Sequence, residues 1–173
     1  MLRRGKFTCF LLSILIDQSG YHSLSYFSSF IVATILQAVI LADSDVILDK
    51  ICDVVEGGAT LAPKDDKAKK QVESFRKTLN DFLPIGKKAV QGGNKSKMWS
   101  KLKELDSKIV GPYVCGDQVT VADCAGFPFV WRIESEFGPV EDQGCENLRR
   151  WLDTCQENPA FAKTIQGSWW WWW

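Results

Sequence analysis

The chain has 173 residues, with 21 Lys or Arg against 21 Asp or Glu, so its formal charge is zero. That balance argues against a nucleic-acid binder, which needs a net-basic face to displace counterions from phosphates. Hydrophobic residues at 46% and charged residues at 24% describe a packed globular protein and exclude a disordered one.

The six cysteines form no C-x-x-C pair and His22 is the only histidine, so no zinc-type ligand set of normal spacing can be assembled and no metal is expected. A catalytic Ser-His-Asp or Cys-His arrangement would have to use His22, which sits in an uncharged apolar stretch without a partner signature. Cysteines this sparse do not make a disulfide scaffold, and in a reducing compartment most are expected to be buried thiols.

In chain order, residues 1–42 differ from all that follows. Arg3, Arg4 and Lys6 precede an apolar run from Phe7 to Ile16, and after Asp17 no charged residue appears until Asp43. The first run has the basic start and apolar core of a signal peptide, although Asp17-Gln18-Ser19-Gly20 is a poor cleavage site. The run from Leu24 to Ala42 is long enough to cross a bilayer but is diluted by Ser, Thr and Gln. The third reading is buried strand and helix from an incomplete domain.

From Asp43 the text is helical. Asp43 or Ser44 reads as the N-cap of a short helix carrying Val46, Ile47, Leu48 and Ile51, ended by Gly57-Gly58. Ala59 to Pro63 reads as a linker. Lys64-Asp65-Asp66 opens a long helix with Val72, Phe75, Leu79, Phe82 and Leu83 at three- and four-residue spacing, which Pro84 is expected to bend or end before the Gly92-Gly93 turn. A third helix from about Ser96 places Trp99, Leu102, Leu105 and Ile109 on one face and stops before Gly111-Pro112.

Thr120-Val121-Ala122-Asp123 has the form of a capping box, with the Thr120 hydroxyl over the Asp123 amide and the Asp123 carboxylate reaching back to the Thr120 amide. This gives both residues a structural role in starting a helix and makes Asp123 a folding residue, not a catalytic acid. The helix it starts, Val121 to about Glu136, is apolar around most of its circumference and is expected to be central and buried. Helices at 147–156 and 160–165, separated by Asn158-Pro159, close the chain before Trp169 to Trp173.

Pro112-Tyr113-Val114-Cys115-Gly116-Asp117-Gln118-Val119-Thr120-Val121-Ala122-Asp123, with Phe127-Pro128 one turn on, resembles a segment of the glutathione transferase C-terminal helical domain, and Asn158-Pro159-Ala160-Phe161 is similar to the start of that family's closing helix. The resemblance runs from Asp43 to about Ile165. Ala42-Asp43-Ser44-Asp45-Val46-Ile47 together with Gly111-Pro112-Tyr113-Val114 resembles the dehydroascorbate reductase branch, which is related to the chloride intracellular channel proteins.

The resemblance implies a mainly α protein, in which a glutathione transferase C-terminal-like helical bundle at 59–166 follows an incomplete thioredoxin-like segment at 1–58 and precedes a Trp-rich tail at 167–173. It implies glutathione as cosubstrate, with Asp43 and Ser44 gripping the γ-glutamyl end, and a small electrophile or dehydroascorbate as second substrate. It also requires a nucleophilic cysteine upstream, for which Cys9 is the candidate. Cys9 lacks the Pro that follows the family's cysteine, no Pro precedes Pro63, and about 35 residues separate Cys9 from Ser44 where the elements of that half need about 50.

Three readings of function follow. One is a glutathione-dependent transferase or dehydroascorbate reductase, and one a non-catalytic helical interaction module. The third is a membrane-associated relative of the chloride intracellular channel type, making protein or membrane contact through residues 1–42 and Trp169 to Trp173. The expected location is the cytoplasm, with membrane association or secretory entry as the alternative carried by the apolar N-terminal stretch.

Overall fold

A computed structural model describes residues 44–54 and 57–165. Cys9, Asp43, the rest of 1–43 and Trp169 to Trp173 lie outside the described residues, as does any thioredoxin-like segment before Ser44.

The first described element, α1 (Ser44–Val54), begins at the predicted place and buries Leu48. The stretch read as a linker instead forms a 3₁₀ turn, Gly58–Leu61, that drives Leu61 into the core. Gly57 enters this turn at φ 83°, a left-handed conformation that glycine adopts without strain.

Asp65 caps α2 (Asp66–Val90) by accepting the Ala68 amide at 2.6 Å. Its buried residues are Val72, Phe75, Leu79 and Phe82, as the periodicity predicts, with Gly86 and Ala89 continuing the stripe past Pro84. Pro84 therefore neither ends the helix nor marks its boundary. Pro84 is exposed, so the ring and the amide it lacks fall on the solvent side of the helix, where a proline is best tolerated.

A four-residue connection leads to α3 (Lys95–Asp106), capped by Asn94, whose Oδ1 accepts the Lys97 amide at 3.1 Å. Here Met98, Leu102 and Leu105 form the buried face, while Trp99 is only half-buried. Ile109 is buried but lies beyond the helix, which ends three residues before it.

The central helix, α4 (Val121–Phe137), buries every residue from Val121 to Pro128 together with Val130 and Ile133. It packs against α1, α2 and α5 (Glu146–Glu157); α5 also touches α3 and the short closing helix α6 (Pro159–Ile165). The core is aromatic at its centre: Phe127 meets Phe161 edge-on at 5.0 Å and Trp151 at 6.3 Å, and Phe75 approaches Trp151 at 6.2 Å. Such ring pairs add to the area they bury.

The remaining regular structure among the described residues is a second 3₁₀ turn, Val140–Gln143, which buries Val140, and an isolated antiparallel bridge, Tyr113 with Gly116. No helix among them is long and apolar enough to cross a membrane.

Candidate functional site

The start of α4 carries a carboxylate, Asp123, that accepts four hydrogen bonds. Asp123, fully buried, accepts at Oδ2 from the Thr120 amide at 2.7 Å and the Thr120 hydroxyl at 2.8 Å. At Oδ1 it accepts from the Val114 amide and from the Trp151 indole Nε1, both at 2.8 Å.

The reciprocal geometry of a capping box is present. Its hydroxyl, however, gives its proton to the carboxylate, and the Asp123 amide bonds to the Thr120 carbonyl at 3.1 Å. Four donors fill the four lone-pair sites of an ionised carboxylate. Burial pushes the Asp123 pKa up from the ordinary carboxylate range, and the four donors pull against it. Protonation would force one oxygen to turn from acceptor to donor where every neighbour is already a donor. With no lone pair left over and no exposure, Asp123 has nothing to offer a substrate; it ties the 107–119 loop, the head of α4 and α5 together.

That loop is held on its other side by α2. Gln71 donates from its side-chain amide to the Lys108 carbonyl, and the Cys115 thiol points at the Ala68 carbonyl at 3.8 Å. Asp49 on α1 receives Arg76 of α2 in a two-bond contact at 2.8 and 3.4 Å, which pins α1 to the bundle. That contact anchors α1 at Asp49, in the middle of the helix. Free amides at a helix start suit an anion such as a carboxylate in general, and Ser44 is the first residue of this helix. Ser44 is thus placed on an anchored element, whereas Asp43 and Cys9 lie outside the described residues.

The described thiols are poor nucleophiles. Cys124, Cys145 and Cys155 are buried, and Cys52 and Cys115 are half-buried. Burial, followed by nearby carboxylates, raises Cys52 and Cys115 to about 11. Burial likewise raises Cys145 to about 11 and holds Cys124 and Cys155 well above the usual thiol range. A catalytic thiolate needs the opposite environment.

Sequence reasoning found Thr120 and Asp123 but missed Trp151 and the Val114 amide as their partners. A buried indole requires an acceptor, and that requirement was the available signal for Trp151; the Val114 contact depends on how the loop folds. Also missed was Asp106 at the end of α3. Its Oδ1 accepts the Leu148 amide at 2.7 Å and its Oδ2 the Asn147 side-chain amide at 3.1 Å, so it caps α5 from another helix.

An all-helical domain organised by a buried Thr-x-x-Asp cap at the head of its central helix is what these observations define. Residues 90–154, from the last turn of α2 through most of α5, match the family model described as the C-terminal domain of glutathione S-transferase. No curated protein and no solved structure matches the chain.

Proposed function

We propose that the chain is a glutathione transferase-like protein whose helical body supplies one wall of a cleft for a small electrophile. Glutathione would be held at the head of α1, with Ser44 and the preceding Asp43 receiving its γ-glutamyl end. The observation that carries this reading is the match of residues 90–154 to the glutathione S-transferase C-terminal domain, on a helical body to which α1 is pinned by Asp49 and Arg76. Family proteins of this kind use glutathione and electrophilic substrates, and the finer assignment we propose within them is the glutathione-dependent reduction of dehydroascorbate.

The nucleophile we propose lies before Ser44, with Cys9 as the candidate; burial raises the five described thiols, which disfavours a thiolate at any of them. Titration calorimetry of the full chain with glutathione tests the reading. Weak, millimolar binding abolished by Ser44→Ala is the expected result. Binding unaffected by that substitution removes Ser44 from the site, and no binding at all favours a non-catalytic helical module. Assays of Cys9→Ser with dehydroascorbate and with a small aromatic electrophile then separate reductase from transferase.

A further inference from the structure

The connection between α2 and α3 carries an uncompensated positive tip. Between Asp81 and Glu104 the chain has six lysines, at 87, 88, 95, 97, 101 and 103, and no acidic residue. Lys87 and Lys88 occupy the last turn of α2, and Lys95 and Lys97 the first turn of α3. The turn between them is tight, with the Gly93 amide on the Lys88 carbonyl at 2.7 Å and the Gly92 amide on the Ala89 carbonyl at 3.0 Å. All four side chains are exposed and none forms an ion pair among the described residues, whereas Lys101, farther from the tip, is neutralised by Glu104 at 2.6 Å.

Each of the four therefore lies within roughly 6 Å of the connection along its own helix axis. Lys95 and Lys97 also sit at the positive end of the α3 dipole with no acidic residue in that turn, a placement that local helix energetics disfavours. The carboxylates of the neighbouring 134–141 segment do not compensate them: Glu134 and Glu141 face Arg149, and Glu136 is paired with Arg132.

We infer that this tip is a docking surface for an anionic lipid bilayer. The charges are all lysine ammonium groups, compact and strongly hydrated, with no arginine fork to read a particular phosphate or carboxylate geometry. They project from the end of a helical hairpin, a shape that meets a plane of headgroups. An aromatic pair lies beside them: Trp99 and Phe137, both half-buried, are edge-on at 6.3 Å, and the Lys95 ammonium lies 4.8 Å from the Phe137 ring centroid. Lysines flanking a partly exposed indole match the polar and interfacial layers of a membrane surface. The inference stands independently of the glutathione reading.

The test is co-sedimentation of the full chain with vesicles of phosphatidylserine and phosphatidylcholine in equal parts, and with phosphatidylcholine vesicles alone. The wild type is expected to bind the anionic vesicles at low salt and to be released as salt screens the charges. Combining Lys87→Gln, Lys88→Gln, Lys95→Gln and Lys97→Gln is expected to lower the bound-to-free ratio at least about tenfold, while Lys→Arg at the same four positions retains binding. The control combines Lys64→Gln, Lys67→Gln, Lys69→Gln and Lys70→Gln at the other end of α2, the same change in net charge, and should bind as the wild type does.

Equal loss in tip and control variants, equal binding to neutral vesicles, or a tip variant that still binds would each overturn the inference. Retention on immobilised polyglutamate without vesicle binding would overturn it in favour of an acidic protein partner.

Discussion

The Trp151 indole donates to Asp123 Oδ1 at 2.8 Å across the interior of the bundle, and both residues are fully buried. The contact joins the first turn of α4 to the middle of α5 and lies where Phe75 and Phe127 close around the same indole. It converts a local helix cap into a tertiary one.

Asp123→Ala removes the acceptor from two backbone amides, a hydroxyl and an indole at once. Leaving several buried donors unsatisfied is expected to cost about 3–5 kcal/mol, far more than the ~1 kcal/mol of an ordinary cap. Urea denaturation should show the loss directly. Asp123→Asn should also destabilise, because its NH₂ must face one of the donor pairs. Trp151→Phe should cost less than Asp123→Ala, and the double mutant less than the sum of the two. An Asp123→Ala variant with unchanged stability would remove Asp123 from its structural role.

The raised thiols set a pH dependence. A group that titrates higher in the folded than in the unfolded state lends stability that is fully present below its unfolded pKa and lost as pH rises through its folded one. For Cys52, Cys115 and Cys145 that window runs from the ordinary thiol value of 9.0 to about 11. The melting temperature is expected to fall across this range, and to fall less steeply when Cys52→Ala and Cys115→Ala are combined. Parallel slopes for the two proteins would show that other groups govern the alkaline limb.

Gly126 on α4 faces Phe75 of α2 and Trp151 of α5. A Cβ there would stand 2.9 Å from the Phe75 ring and 3.4 Å from the Trp151 ring. Gly126→Ala gains up to about 1 kcal/mol of helix propensity, against about 1–3 kcal/mol for overpacking a close-packed core. A lower melting temperature is the expected outcome, with Phe75→Leu partly restoring it in the double mutant.

Asp106→Ala should cost about 0.5–2 kcal/mol, the range for an N-cap, although Asp106 lies on a different helix from the one it caps. Asp106→Asn keeps an acceptor oxygen for the Leu148 amide and should recover part of the loss. Equal stability of all three proteins by chemical denaturation would show that the cap contributes nothing.

The α2 core stripe, the Asn158-Pro159 break and the burial of α4 were legible because apolar spacing and cap residues report local geometry. Of the two effects expected of Pro84, ending the helix does not occur, because that outcome depends on which side of the helix faces water, and a lone sequence position does not say. The Ala59 to Pro63 linker was misread because Leu61 is the one large apolar side chain in it, and a single buried residue leaves no periodicity. Met98 was passed over for Trp99, because both positions stand at three- or four-residue spacing from Leu102 and only a neighbouring helix decides between them. At the candidate site, Thr120 and Asp123 were visible as a spacing of three. Their link to Trp151 spans 28 residues and has no local signature, and Asp106 capping α5 is hidden for the same reason.

Asp106 also bears on how the chain is assembled at the ribosome. The N-cap residue of α5 is Cys145, which makes no side-chain cap bond of its own. A peptide covering 145–165 therefore lacks the acceptor that stops its first turn from fraying, and it should be largely unstructured in isolation. During synthesis the acceptor emerges first, on α3, so the last third of the domain can wind only against a surface already built. Translation in the natural direction supplies that template before it is needed, whereas a circular permutant that begins at residue 145 would make α5 wait for α3 and should fold more slowly.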